Sequence, residues 1–230
     1  MSWQEQLEAD GFAVVESTID PQQVDDLIGA IATASPARHG MRNLFEHVPL
    51  TRSLVTTPAI ARLVEADLGP DTFAVRAILF DKIKGSNWHV GWHQDQSIAI
   101  KNRVEMPGFG PTSVKAGVPH TRASRDVLER MLAVRIHLDD CGPDNGPLRC
   151  SPGSHRSGRL NPDQAFAEKE RLGEQVCLVP QGGALLMRPL CLHASSPAKS
   201  PQHRRVIHIE FANCELPGDM QWYERHPISS

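Results

Sequence analysis

From Thr72 onward the chain is written as short apolar and β-branched runs cut by Gly, Pro and Asn clusters, the texture that most narrows its choice of fold. Residues 73–83, 97–101, 133–139, 146–150, 175–178, 184–187 and 205–212 read as strands. The helical intervals that parallel crossovers need are missing, so the strands pair antiparallel, with 17 Gly and 18 Pro in 230 residues supplying turns. The expected class is mainly β with flanking helices, as an antiparallel barrel or a double-sheet jelly roll.

Before Thr72 the pattern is helical. Residues 2–10 form a short helix stopped by Gly11, and 12–15 a brief strand. Asp20 caps a second helix with Pro21 in its first position, placing Val24, Leu27, Ile28 and Ile31 on one face. A third, over 58–68, turns Ile60, Leu63, Val64 and Leu68 inward and stops at Gly69-Pro70. With no repeat and no linker-like tract, residues 1–230 are read as one domain, helices in 1–70 and a jelly-roll core in 72–212. Segment 103–125 carries Pro107, Gly108, Gly110, Pro111, Gly117 and Pro119 and is expected to be an irregular lid.

A balance of 24 basic against 27 acidic residues gives no positive field for nucleic acid or an anionic membrane. Cys141, Cys150, Cys177, Cys191 and Cys214 are odd in number and never spaced C-x-x-C. Neither a disulfide framework nor a zinc ribbon follows, and with no apolar leader or spanning run the expectation is a cytoplasmic protein with a small-molecule partner.

The chemistry concentrates in Trp88-His-Val-Gly-Trp-His93-Gln-Asp95. In an extended segment His93 and Asp95 project from one face and reach one metal ion. A third ligand must return from afar, and His193 stands at the end of a late apolar strand. Two imidazoles and a carboxylate on one face leave three positions open, the arrangement of non-haem iron(II) oxygenases. Other readings remain open on spacing alone: a surface H-x-D pair, a zinc hydrolase on the same three ligands, or a jelly-roll binding module without turnover. A zinc helix built on His89 and His93 is disfavoured, because Val90 stands where the metalloprotease pattern needs Glu.

Ser195 follows His193 by two residues and Arg204 by eleven, and Asn145-Gly-Pro-Leu148 precedes Pro152-Gly-Ser-His155. This whole set resembles the phytanoyl-CoA dioxygenase family of iron(II)- and 2-oxoglutarate-dependent oxygenases, from about Gly11 to Phe211. The resemblance implies a cupin-like double-stranded β-helix, with iron(II) held by His93, Asp95 and His193 and O2 as second cosubstrate. It also implies that Arg204 and Ser195 hold the distal carboxylate of 2-oxoglutarate, a role the guanidinium fork suits. Arg135 and Ile78 fall at positions that contact the cosubstrate in the family, and Lys82 or Arg42 is a further cation for its carboxylate near iron. Related halogenases lack the carboxylate, so Asp95 implies hydroxylation with release of succinate and CO2. Residues 96–130 sum to +3 in a chain of −3, an asymmetry open to two readings: basic residues that solvate an irregular loop, or an anionic substrate. Trp88 and Trp92 are expected to pack the barrel mouth.

Overall fold

Residues 1–34, 40–103, 105–199 and 202–228 are described by the computed structural model. The helices follow their caps. Helix α1 (Trp3–Asp10) starts at Ser2, which exchanges hydrogen bonds with Glu5 in a capping box, and ends at left-handed Gly11. Helix α2 (Pro21–Ala34) and short helices α3 (Leu44–His47) and α4 (Leu50–Val55) precede α5 (Pro58–Leu68), whose Thr57 cap accepts from the Ile60 N–H. Later come α6 (Arg125–Leu128) and α7 (Pro162–Leu172).

The strands are β1 (Phe12–Val15), β2 (Gly40–Met41), β3 (Phe73–Asp81), β4 (Val90–His93), β5 (Ser97–Ala99), β6 (Ser113–Lys115) and β7 (Val118–Arg122). They continue with β8 (Met131–His137), β9 (Leu148–Cys150), β10 (Gln175–Cys177), β11 (Ala184–Met187), β12 (His193–Ser195), β13 (Arg205–Ala212) and β14 (His226–Pro227). The major sheet runs β1-β11-β8-β13-β3-β14, with β2 on β3, and the minor one β10-β9-β12-β4. A third, small sheet is β5-β7-β6. All named pairings are antiparallel, and the chain forms the jelly roll expected of it.

Strand alternation divides the major sheet into two faces. Val134, Ile136, Ile207, Ile209, Ala77 and Leu79 join Leu27, Ile31, Ile60 and Leu63 of the helices in one core. The alternate row, Arg135, His208 and Ile78, lies in register across three strands and lines a cavity together with His93, His193 and Leu148 of the minor sheet. The site therefore sits between the sheets.

Two expectations are corrected. Segment 103–125 holds the β6–β7 hairpin, and α6 begins at its end; Val104 lies outside the described residues. Ala116 and Gly117, at φ 49° and 81°, make its turn, and Pro119 contributes a carbonyl that accepts from the Ile100 N–H. A β-strand tolerates Pro where no N–H is needed. His193 does not end a late strand of the major sheet. The ladder of β11 stops before Pro189, and the chain crosses to begin β12 in the minor sheet.

Candidate metal centre

Neighbouring strands β4 and β12 place His93 directly opposite His193, with ring centroids 4.2 Å apart. Asp95 lies just beyond β4, where its N–H donates to the Pro189 carbonyl at 2.9 Å. His93 Nε2 is 3.7 Å from one Asp95 oxygen and His193 Nε2 is 3.6 Å from the other. All three donor atoms lie within 4.8 Å of one another. Each imidazole presents Nδ1 to a backbone carbonyl two residues back, His93 to Gly91 at 2.9 Å and His193 to Cys191 at 3.0 Å. That contact puts the ring proton on Nδ1 and leaves the Nε2 lone pair facing the centre, the support that metal-bound histidines need. Donor chemistry and convergence both fit a divalent transition metal.

The electrostatics agree. Burial would raise the Asp95 carboxyl, but His193, His208 and His93 hold it well below the usual carboxylate range. Burial lowers His193 to about 4 despite Asp95, so the ring is neutral and able to ligate at pH 7.

Supporting residues invisible to spacing arguments fix these ligands. Gln94, between His93 and Asp95, is buried and donates to the Gly158 and Leu190 carbonyls at 2.8 Å each, while accepting from the Leu160 N–H at 2.9 Å. Ser154 of the Pro-Gly-Ser-His turn donates to the Ser151 carbonyl at 2.6 Å and accepts from the Leu192 N–H at 2.8 Å, beside His193.

Next to the triad lies a cation-rich recess of a cavity of about 310 Å³, lined by Arg204, Ser195, Arg135 and Ile78 as well as the three ligands. Arg204 is 3% exposed, so it is no surface charge. It donates through Nη1 to the Gly146 carbonyl, and its Nε has no partner. Lys82 is wholly buried and donates to Ser195 Oγ at 3.0 Å and to the Ser196 carbonyl at 2.6 Å. It stands behind Ser195, at the Arg204 end of the recess, whereas Arg42 lines the cavity. Burial and the nearby Arg204 lower Lys82 to about 7. Arg135 shares a hydrogen bond with His208 Nδ1 at 2.9 Å, its Nε also lacks a partner, and burial lowers it to about 10. Among the described residues no carboxylate forms an ion pair with Lys82, Arg204 or Arg135. Three buried cations without a counter-ion are costly unless an anion joins them.

Glu210, which sequence reasoning missed, continues the row toward the opening. It meets His208 Nε2 at 3.1 Å and pairs with Arg76. The available signal was the polar alternation His208, Glu210 in a strand that is otherwise apolar after Arg205. Trp88 lines the cavity, but Trp92 faces away from it, under Arg149 and Lys169. The pairing of β4 with β12 slips between His193 and Ser195, and this irregularity points both Val90 and His93 inward while turning Trp92 out.

The family model described as phytanoyl-CoA dioxygenase (PhyH) matches residues 7–206. Ectoine dioxygenase of Bordetella bronchiseptica is 27% identical over 168 residues, covering 65% of this chain and 47% of that protein. The chain thus spans about half the length of the curated relatives it matches. Among solved structures, EctD from S. alaskensis with 2-oxoglutarate and 5-hydroxyectoine gives a TM-score of 0.72 at 18% identity, covering 100% of this chain and 80% of that one. The non-heme alpha ketoglutarate dependent epimerase SnoN from nogalamycin biosynthesis also gives 0.72, at 16% identity, covering 93% and 80%. At these identities both likenesses concern the fold. No helix among the described residues is long and apolar enough to cross a membrane.

Proposed function

The chain belongs to the phytanoyl-CoA dioxygenase family, and on that footing we propose that it is an iron(II)- and 2-oxoglutarate-dependent dioxygenase that hydroxylates a small molecule. The observation that carries this reading is the His93, Asp95, His193 triad opening onto a recess whose buried cations have no anion of their own. A zinc hydrolase needs no such recess.

In this reading His93, Asp95 and His193 hold the metal on one face. Arg204, with an unpartnered Nε, and Ser195 bind the distal carboxylate of 2-oxoglutarate, and Arg135 and Ile78 flank its chain. A Lys ammonium only donates, so Lys82 occupies a lone pair of Ser195 Oγ and leaves the hydroxyl hydrogen free for the carboxylate. The burial of Arg204 and Arg135 keeps water from competing for the bound acid. Iron and the keto acid together supply the oxidising power, one atom of O2 entering succinate with loss of CO2 and the other entering a substrate C–H bond. Retention of Asp95 as ligand favours hydroxylation over halogenation. The single-domain organisation over 1–230 and a reducing, cytoplasmic setting complete the proposal, supported by five unpaired cysteines. The basic balance of residues 96–130 favours an anionic substrate.

The test is an anaerobic titration of Fe(II)-loaded protein with 2-oxoglutarate, following the weak visible metal-to-ligand charge-transfer band. A band in the wild type that is lost or much weakened in Arg204→Ala is expected. Iron binding with no band on adding 2-oxoglutarate would remove the oxygenase reading in favour of the zinc-hydrolase or binding-module alternatives.

A further inference from the structure

We propose that Arg42 and Lys115 form a two-cation clamp at the cavity mouth that binds an oxyanion group, carboxylate or phosphate, of the substrate. The inference rests on the oxygenase reading of the inner site and assigns the outer part of the same cavity. Both side chains line the cavity that holds the triad, although their chain segments are far apart in sequence. What joins them is a clasp between their immediate neighbours, in which Asn43 Nδ2 donates to the Ala116 carbonyl at 3.2 Å. Asn43 and Ala116 are the two non-glycine residues with positive φ among those described, at 54° and 49°. Such conformations persist where the surroundings over-determine them, and they cluster at ligand clamps. Here they aim residue 42 from the end of β2 and residue 115 from the hairpin into one opening.

The charges around the opening do not balance. The cations are Arg42, Arg76 and Lys115, and two carboxylates share the cavity with them: Glu210, already engaged by Arg76 and His208, and Asp95, which acts on Lys115 but stands between His93 and His193 in the triad. Lys115 has Ser97 Oγ at 3.1 Å, a neutral partner, and Arg42 has no side-chain hydrogen bond among the described residues. Burial of part of each side chain, together with repulsion from Arg76, lowers both below their ordinary values. A site that holds two like charges close together without a counter-ion is arranged for an anion from outside. A second cavity, of about 790 Å³, adjoins the first and shares Arg42, Ile78, Phe80 and Trp88 with it. Arg42 thus stands at the junction, where an incoming molecule is held by its anionic end while its other end reaches the triad.

The experiment is calorimetric titration of the Fe(II)-loaded, 2-oxoglutarate-saturated protein under anaerobic conditions with inorganic phosphate and, separately, with acetate. Saturable binding of at least one is expected, and the stronger of the two identifies the substrate's anion. Lys115→Met and Arg42→Met should each weaken it at least fivefold, Lys115→Arg should stay within twofold, and none should change 2-oxoglutarate affinity more than twofold. No saturable anion binding, or binding indifferent to both Met variants, overturns the clamp. So does Arg42→Met weakening 2-oxoglutarate rather than phosphate or acetate, which would make Arg42 a cosubstrate residue. Failure of the oxygenase reading is recognised separately, as wild-type protein that does not bind 2-oxoglutarate; the same anion titration without cosubstrate then still decides whether the clamp exists.

Discussion

Lys82 Nζ lies 3.0 Å from Ser195 Oγ, and while the lysine is protonated the direction of that hydrogen bond is fixed, because an ammonium has nothing to accept with. A lysine with no exposed surface thereby sets the orientation of a hydroxyl on the cavity wall. Burial and Arg204 bring Lys82 to about 7 in the free protein, and a carboxylate bound at Ser195 raises it again. Below pH 7 the lysine is protonated with and without ligand, and affinity for 2-oxoglutarate is flat. Above pH 7 binding must take up a proton, so affinity falls with a limiting slope of about tenfold per pH unit. The other groups facing Lys82 do not obscure this slope: Arg204 and Arg135 stay charged, and Cys141 is pushed up by burial and stays neutral. Lys82→Met should abolish the slope and weaken 2-oxoglutarate by roughly 1–2 kcal/mol at pH 6.5, where a flat wild-type profile from pH 6 to 9 would refute the coupling.

Gly146 carries a second prediction. Its φ is +61°, a Cβ there would sit 2.7 Å from the Ser196 carbonyl, and its own carbonyl accepts from Arg204. Gly146→Ala should destabilise the fold by about 1–3 kcal/mol through the strained conformation. It should also weaken 2-oxoglutarate through a displaced Arg204. Denaturant unfolding and cosubstrate titration measure the two effects, and a variant as stable as wild type would mean that the turn relaxes freely.

These residues show where sequence reasoning reaches and where it stops. The helices with an apolar stripe, α2 and α5, are legible because burial imposes a period on the sequence. Helix α7 buries Ala165 alone and exposes Phe166, so no stripe betrays it, although its Asn161 and Gln164 capping box does. The triad and Arg204 are legible because ligand geometry restricts both residue type and spacing. Gln94, Ser154 and Glu210 are not, since each acts through contacts with segments 38 to 134 residues away in sequence, and Lys82, legible as a cation near the cosubstrate, shows its hold on Ser195 only through a contact 113 residues away. The β6–β7 hairpin was hidden by its own glycines and prolines, which break local propensity while the pairing with β5 restores the strand.

Ser154 tests the support beneath His193. Its buried hydroxyl bridges the Ser151 carbonyl and the Leu192 N–H, so Ser154→Ala strands the buried Leu192 N–H and leaves the Ser151 carbonyl only its longer contacts, to the Ser154 N–H at 3.3 Å and Cys191 Sγ at 3.9 Å. The expected loss is about 1–3 kcal/mol, which for a chain of this size lowers the melting temperature by roughly 2–4 °C per kcal/mol. Metal affinity should fall with it, by roughly 10–100-fold, as when other supporting groups of metal ligands are removed. Unchanged metal affinity in a destabilised variant would confine Ser154 to folding alone.

His93 and His193 are equivalent as ligands but not as parts of the fold, and their substitution should separate the two roles. The His93 side chain is 40% exposed and that of His193 is 4% exposed. His93→Ala should therefore change the stability of the metal-free protein by under about 0.5 kcal/mol, as for a surface substitution. His193→Ala leaves the Cys191 carbonyl without its partner inside the barrel and should cost about 1–3 kcal/mol. Both remove one of three protein donors, so both should lose more than the roughly 100-fold in iron affinity that marks the loss of a mere supporting group. Thermal melts of the metal-free variants and iron titrations with oxygen consumption as readout make the comparison. Tight iron binding and full oxygen consumption by His93→Ala would remove His93 from the metal site, whatever the melts show.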